Sequence, residues 1–494
     1  MAVKPGAPKA PKATVYNASS DVIFILLVVI SPTCHSITII SQGKTMEFRK
    51  LLAVSLFSAL VAGCDSGAVT TESSYATDSA AQAAATGISH GEYVARLGNC
   101  VACHSIPEGE PLAGGLKMAV PMMGNIYTTN ITPDPETGIG NYSFEEFDAA
   151  MRFGVKADGT RMYPAMPYPS YAKMSEQDMR ALYDFFMNEV EPVTQANLPN
   201  EIPGWKDMAR MGMGIWNFMT MDGDPYESDA NQSDDWNRGA YLTQGPGHCG
   251  ACHTPRGLLM QEKGLDEGDS AFLAGAPLDH WSASSLNGDI NSGLGRWTED
   301  DVAEFLGTGH NRFGTAFGTM VEVVNNSTQH MSEADLHGMA VYLKSLPPVV
   351  EVNAQQWSYD NSDTEQLIGL DFSKTGSQIY YEYCSNCHAT SGEGYYPYQP
   401  PLAGNPVIMD PDPSSLINLT LNGSLRVIAE QGPDVNDMPY FRQLLTDAEI
   451  ADVLTYIREA WGHDASAVTA AQVTEIREAT DPTRNDDIFV LRMK

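Results

Sequence analysis

Basic residues are scarce in this 494-residue chain. Lysine and arginine together number 29, against 62 aspartate and glutamate residues, which gives a formal net charge of -33 at pH 7. A surface with this charge repels nucleic acid and anionic lipid headgroups, so no nucleic-acid partner is expected. A chain of this length with 43% hydrophobic residues is too large for one compact core, and it predicts two to four domains.

Long hydrophobic runs are also missing. The apolar runs at residues 22–30 and 51–62 are shorter than the roughly 20 residues that a membrane-spanning helix needs. The second run follows two basic residues, so residues 1–63 are predicted to be an upstream segment and a secretion signal peptide. Its end, VAGC at 61–64, resembles a bacterial lipobox, which implies a lipid attached to Cys64. An ordinary signal with an incidental cysteine is the alternative.

Cysteine is used sparingly and in one pattern. Six of the eight cysteines form three Cys-x-x-Cys-His motifs, at residues 100–104, 249–253 and 384–388. The other two are Cys64 and Cys34, and Cys34 lies in the segment that is expected to be removed. Because Cys64 belongs to the export signal, only Cys34 is left over, and no disulfide framework is predicted.

Each of these motifs can attach one haem covalently. Two cysteines three residues apart on a helical turn present both sulfurs to the vinyl groups of one haem, and the adjacent histidine offers a ring nitrogen to the iron. A single Cys-x-x-Cys would also fit a zinc half-site or a thioredoxin-like redox pair. Three copies, each with histidine in fifth position in an exported chain, favour three covalently bound haem c groups. The expected attachment residues and histidine ligands are Cys100, Cys103, His104, Cys249, Cys252, His253, Cys384, Cys387 and His388.

Three copies of one unit surround the motifs. Each unit opens with a segment carrying glycine and tyrosine, and each closes with a helix that follows Ser175, Ser332 or Thr446, with an acid three residues later. A glycine in the first helix permits a close crossing with the last. We predict a mainly α fold with three tandem class I cytochrome c domains. The predicted divisions are a flexible tether at 64–82, domains at 83–205, 230–350 and 370–465, and a polar C-terminal tail at 466–494.

The sixth iron ligand decides what each haem does. A methionine thioether completes the coordination and suits electron transfer, whereas an open position suits the binding or activation of a small molecule. Met166 and Met438 each stand before a proline, shortly ahead of a closing helix, and Met320 holds the corresponding position in the second unit. Methionine in such cores more often serves packing. The residues that compete with Met320 are Met331, His310 and His330.

The rest of the sequence has no readable catalytic constellation. It lacks a Ser/His/Asp arrangement, a Gly-rich phosphate loop and a recurring carboxylate pair, so no substrate chemistry of its own is predicted. The stretch at residues 208–219, rich in methionine and tryptophan, is expected to pack between the first two units, with a patch facing a partner subunit or the membrane as the alternative. The histidines expected at the surface or beside the haem ligands are His90, His248, His280, His337 and His463.

Residues 88–465 resemble the three-haem cytochrome c subunits of membrane-bound periplasmic alcohol, gluconate, sorbitol and fructose dehydrogenases. The resemblance lies in NITPDPETGIG at 130–140, YPAMPYPSY at 163–171, the sequence at 236–256, NSTQH at 326–330 and MPYFR at 438–442. It implies that Met166, Met320 and Met438 are axial ligands. It also implies a catalytic partner subunit, holding flavin or pyrroloquinoline quinone, that supplies electrons, and ubiquinone in the membrane that accepts them.

Three functions fit these observations. The first is the electron-transfer subunit of a dehydrogenase complex, held by its lipid on the periplasmic side of the bacterial inner membrane. The second is a stand-alone tethered carrier that feeds a terminal oxidase or a peroxidase. The third makes one haem catalytic, which requires five-coordinate iron. The first is favoured because the resemblance spans most of the mature chain.

Overall fold

Helices dominate the computed structural model, which describes residues 74–483 except for 121–123, 205–207, 222, 352 and 425. The mainly α prediction is confirmed. The predicted signal peptide, Cys64 and the first part of the predicted tether lie outside the described residues. The α-helices are Ser74–Thr86, His90–Leu97, Cys100–His104, Phe144–Phe153, Tyr168–Tyr171, Glu176–Asn188, Met213–Thr220, Asp234–Gln244, Gly250–His253, Glu299–Thr308, Met320–Asn326, Glu333–Ser345, Ser362–Ile368, Ser377–Tyr383, Ser385–His388, Pro406–Met409, Ser414–Asn422, Asp447–Glu459 and Ala470–Ala479.

Short elements complete the described part of the chain. Single 3-10 turns lie at Met208–Gly212, Thr328–His330 and Ala460–Gly462. The strands form three small antiparallel hairpins, which pair Lys117–Val120 with Gly124–Tyr127, Ala276–Leu278 with Trp281–Ala283, and His310–Asn311 with Gly314–Thr315. Among the described residues, no helix is long and apolar enough to cross a bilayer.

Each motif lies between an opening helix and a closing helix that cross closely. The three pairs are His90–Leu97 with Glu176–Asn188, Asp234–Gln244 with Glu333–Ser345, and Ser377–Tyr383 with Asp447–Glu459. A Cβ on Gly91, Gly239 or Gly376 would lie only 2.1, 1.9 or 2.1 Å from a backbone oxygen of the closing helix. No side chain larger than hydrogen fits there, so the predicted glycine crossing is confirmed in all three regions.

The predicted starts of the closing helices are also confirmed. The hydroxyls of Ser175, Ser332 and Thr446 accept hydrogen bonds from backbone N–H groups three residues later. This contact satisfies one of the donors that a helix leaves unpaired at its first turn. In the third region Glu449 also reaches back to the backbone of Thr446 and completes a capping box.

In the first two regions the matching acids, Asp178 and Asp335, instead join a buried network between regions. Tyr93 of the first opening helix donates to Asp335 of the second closing helix at 2.7 Å, and Tyr241 of the second opening helix donates to Asp178 of the first closing helix. Arg238 binds Asp335 through two nitrogens at 2.8 and 2.7 Å. Each region thus supplies a tyrosine to the other's capping aspartate.

The chain ends differ from the predictions. Residues 74–82 were expected to belong to a flexible tether, but helix Ser74–Thr86 covers them, and the buried Ser79 donates to Asp178 at 2.9 Å. The predicted tail at 466–494 contains helix Ala470–Ala479, because Val473 and Ile476 lie on one face of a helix and bury against the third core. Thr469 and Gln472 form a capping box at the start of this helix, and their Thr-x-x-Gln spacing is the sequence signal of that start.

Candidate haem-binding sites

Short helical turns hold the three motifs. They span Cys100–His104, Gly250–His253 and Ser385–His388, and in the last two the first cysteine is the residue that caps the helix. The cysteines of each motif therefore lie about one turn apart on one side of the backbone. None of these six cysteines forms a disulfide, so both sulfurs of each motif can form thioether bonds to one haem.

The histidine of each motif is oriented by a backbone carbonyl. His104 Nδ1 lies 2.7 Å from the carbonyl oxygen of Thr129, and the corresponding distances are 2.7 Å from His253 to Ser284 and 3.0 Å from His388 to Pro400. A carbonyl oxygen only accepts, so Nδ1 must carry the proton in each ring. The lone pair then lies on Nε2, the nitrogen that is left to bind iron.

Burial keeps the motif histidines neutral and the first cysteine thiol of each motif protonated. It lowers the pKa of His104, His253 and His388, which keeps the rings neutral, the form that binds a metal. It raises the pKa of the first cysteine thiol of each motif to about 12. A redox-active Cys-x-x-Cys pair has a depressed thiol pKa instead, so burial shifts these thiols in the opposite direction.

The zinc alternative finds no donor set in the described part of the chain. Between residues 74 and 483, outside the gaps given above, no three His, Cys, Asp or Glu side chains come close enough to hold a metal ion among them. A zinc site in a protein is normally built from three or four such side chains. The donor sets present are single histidines, each beside two thiols, which is the set that a haem requires.

An apolar cavity of about 380 Å³ joins the second and third sites. The indole nitrogen of Trp297, which lines it, is buried and has no hydrogen-bond partner. A haem carries two carboxylates, so this orphaned donor would suit a propionate of a haem held at Cys249 and Cys252. The motif residues that line this cavity are Cys249, Cys252, His253, Cys384, Cys387 and His388.

The methionines considered as sixth ligands lie beside these sites. Met320, Met331 and Met438 all line the shared cavity. Met166 is half-buried and packs against the same hydrophobic cluster as Cys100 of the first motif. The structure thus places Met320, Met331 and Met438 at the shared cavity, and it places Met166 against the hydrophobic cluster of the first region.

The two histidines that competed with Met320 have other contacts and are not among the residues that line the cavity. His310 Nδ1 lies 2.9 Å from the Thr315 hydroxyl, and the ring stacks on Tyr396 of the third region. His330 Nε2 lies 3.2 Å from the Asn325 carbonyl oxygen. The two methionines do line the cavity, and of these Met320 begins a helix whereas Met331 belongs to the buried core.

Contact between the first and second sites is made by residues next to the motifs. His248 directly precedes Cys249, and its Nε2 lies 3.2 Å from the carbonyl oxygen of Gly98, two residues before Cys100. Tyr171 donates to the same carbonyl at 3.2 Å, and its ring packs edge-on against His248 at 5.7 Å. The sequence placed His248 only at a surface or supporting position. The second site therefore contacts the first and shares a cavity with the third.

Comparison with known proteins agrees with this geometry. The Cytochrome c family matches residues 373–461. The cytochrome c subunit of the quinone-dependent alcohol dehydrogenase of Komagataeibacter europaeus is 46% identical over 400 residues, 80% of this chain and 85% of that protein. The gluconate 2-dehydrogenase cytochrome c subunit of Pantoea cypripedii is 45% identical over 397 residues, 79% and 89% of the two chains. The fructose dehydrogenase cytochrome subunit of Gluconobacter japonicus is 34% identical over 453 residues, 87% and 90%.

Proposed function

The chain belongs to the family of cytochrome c subunits of dehydrogenases, and we propose that it takes electrons from a periplasmic sugar or alcohol dehydrogenase subunit and passes them to membrane ubiquinone. Members of this family are electron-transfer subunits, so the chain is not itself the catalytic subunit. The partner holds flavin or pyrroloquinoline quinone. The observation that carries the proposal is the contact of the second haem-binding site with both of the others.

Three haem c groups are part of this proposal. Each would be held by the two cysteines and the histidine of one motif, with Met166, Met320 and Met438 opposite the histidines. Bound in this way, a haem supplies an iron that accepts and releases one electron without a substrate entering its coordination sphere. The chain's own part is to keep the histidines neutral and oriented, and to keep the adjacent sites surrounded by apolar side chains.

The third site has the surface that suits a protein partner. Cys387 is exposed, and four tyrosines of the same region are 43 to 55% exposed, namely Tyr383, Tyr395, Tyr398 and Tyr440. Tyrosine is enriched at protein interfaces because a rigid ring covers apolar area while its hydroxyl still finds a polar partner. We therefore place the docking of the dehydrogenase subunit at the third region.

Lipid attachment at Cys64 would hold the complex on the periplasmic side of the inner membrane. Labelling cells with a palmitate analogue should mark the mature chain, and Cys64→Ser should abolish the label. Cys34→Ser is the matched control, since that cysteine precedes the signal. A label that survives Cys64→Ser would contradict the assignment.

Stopped-flow spectroscopy of the haem bands tests the electron-transfer proposal. The isolated chain should stay oxidised with sugars or alcohols, become reduced when dehydrogenase subunit and substrate are added, and reoxidise with a ubiquinone analogue. Tyr395→Ser with Tyr398→Ser should slow the reduction and leave reoxidation unchanged. Substrate-driven reduction without a partner would overturn the assignment. Reduction by the partner without reoxidation by quinone would point to an oxidase or a peroxidase as acceptor.

A further inference from the structure

Helix Met213–Thr220, with the 3-10 turn before it, presents an apolar stripe to solvent. Met211, Ile215, Phe218 and Met219 are 64 to 83% exposed. Their spacing of four, three and one residues places them on one side of a helix. The opposite side is held in place, because Met213 is buried and Asn217 accepts from Tyr168 at 2.9 Å and donates to the Phe153 carbonyl at 2.8 Å.

A loop of the second region extends this surface. Residues 258–260, Leu-Leu-Met, form the tip of a turn closed by backbone pairing of Arg256 with Glu262. The Trp216 indole donates to the Leu259 carbonyl at 2.8 Å, which fixes the loop beside the helix. Leu258 is fully exposed. We call the side chains of Met211, Ile215, Phe218, Met219, Leu258 and Leu259 the apolar patch.

Basic side chains lie beside the apolar patch, although the whole chain is acidic. The segment at 208–221, which lies between Asp207 and Asp222, contains one arginine and no acid. Arg161 lies against Gly214 of the patch helix, since a Cβ there would be 3.1 Å from its guanidinium carbon. Hydrogen bonds with Thr160 lower the pKa of Asp158 most, and the nearby charges of Lys156 and Arg210 lower it further. Three cations, those of Lys156, Arg161 and Arg210, therefore lie at this edge with one carboxylate.

We infer that the apolar patch binds the surface of an anionic phospholipid bilayer. Projecting Leu, Ile, Phe and Met side chains can enter the apolar layer, while the basic edge meets lipid phosphates. The acidic surface elsewhere counts for little, because salt screens charges more than about 8 Å apart at physiological ionic strength. The global charge had predicted repulsion from such lipids, and the local charge reverses that expectation at this site.

The position of the apolar patch also orients the molecule. The patch helix packs on Tyr168, two residues after Met166, with the ring of Trp216 edge-on at 6.2 Å. Binding of this surface therefore brings the first site close to the bilayer. This step rests on the proposed function, because it makes the first region the place where membrane quinone meets the chain.

Vesicle co-sedimentation tests the inference without measuring electron transfer. The haem-loaded chain is exported behind a cleavable leader that replaces residues 1–64, so that no lipid is attached, and it is mixed with phosphatidylethanolamine/phosphatidylglycerol vesicles. Ile215→Ser, Phe218→Ser and Leu258→Ser combined should lower the partition coefficient at least about tenfold. The control combines Ile368→Ser, Leu370→Ser and Leu444→Ser, which are similarly exposed outside the patch and should leave it unchanged.

Two results would overturn the inference. One is the absence of vesicle binding by the chain with an intact patch, and the other is equal binding by the patch variant and its control. Loss of dehydrogenase co-purification in the patch variant, with vesicle binding retained, would identify a protein interface instead. The haem spectrum of each variant shows whether it has folded. The single variants Phe218→Ser and Leu258→Ser should each lose part of the vesicle binding. A negative vesicle result would not change the stopped-flow result, so the membrane-binding inference and the electron-transfer proposal can be rejected independently.

Discussion

At the residue scale, the function of each haem depends most on which residue is the sixth ligand of its iron. Met438 lines the cavity beside His388, and its backbone is fixed, because its N–H donates to the Ser424 hydroxyl at 3.1 Å and its carbonyl accepts from the Ser424 N–H at 3.2 Å. Gly423 leaves room for this carbonyl, since a Cβ there would lie 2.6 Å from it. A backbone held this firmly is what a weak thioether ligand needs to stay in place.

Replacing Met438 by alanine should leave the third haem covalently attached, because Cys384, Cys387 and His388 are unchanged. The iron should bind carbon monoxide in the reduced protein, and its reduction potential should fall. Met409→Ala is the control, since that residue is half-buried in the same region but does not line the cavity. Absorption spectra and a redox titration measure both effects, and an unchanged spectrum would mean that another residue is the ligand.

The second site offers a direct comparison between two methionines. Met320→Ala should open the iron to carbon monoxide, whereas Met331→Leu, a change that keeps the volume of a core side chain, should leave the spectrum unchanged and cost less than about 1.5 kcal/mol of unfolding free energy. Carbon monoxide titration of the two reduced variants decides the assignment. The opposite pattern would transfer the ligand role to Met331.

The sequence predicts the iron ligands but not what orients them. The Cys-x-x-Cys-His spacing alone predicts His104, His253 and His388 as ligands. The carbonyls that receive their Nδ1 protons lie 25, 31 and 12 residues away. Every residue type supplies a carbonyl oxygen, so no side-chain pattern marks these positions. The contact of His248 with Gly98 is hidden in the sequence for a similar reason, because its partner is also a backbone oxygen.

At the element scale, the Ser-x-x-Asp motifs both start a helix and join two regions of the chain. The Ser-x-x-Asp signals before the first and second closing helices predict their starts correctly. They do not reveal that Asp178 and Asp335 have side chains 0 and 1% exposed, bound to tyrosines of the other region. The third region, whose Glu449 is exposed, has a cap of the same type without this contact. We infer that the first two regions unfold as one unit.

Asp335→Asn should destabilise that unit strongly. Arg238 is 6% exposed and would keep its charge without the carboxylate that binds it, a loss that costs about 3–5 kcal/mol at buried ion pairs. Glu449→Gln, at the exposed cap of the third region, should cost no more than about 1 kcal/mol. Denaturant unfolding followed by far-UV circular dichroism compares the two. Equal, small effects would show that the network contributes little to stability.

At the scale of the whole molecule, the sequence predicts the repeated unit more readily than it predicts the contacts between the three copies. Three motifs, three glycine crossings and three capped helices are local patterns, and each is visible within a few residues of sequence. The Tyr93 to Asp335 bond joins residues 242 positions apart, and it depends on how two folded regions meet. The same limit explains the ends of the chain, where Ser79, Val473 and Ile476 are buried only because other regions cover them.

Haem content tests the three-site proposal and the coupling together. A pyridine haemochrome assay should give three haems per chain, because each motif offers two free thiols and an oriented histidine. Replacing Cys384 and Cys387 by serine should reduce the number to two. The first two regions should keep their haems and their shared network, since Tyr93, Asp178, Tyr241 and Asp335 all lie outside the third region.

The equivalent change at Cys249 and Cys252 should instead lower the stability of both coupled regions, because the second core also contains Ala83, Tyr93 and Leu97 from the first. Fewer than three haems in the unaltered chain would contradict the proposal, and loss of every haem on changing the third motif would contradict the independence of that region.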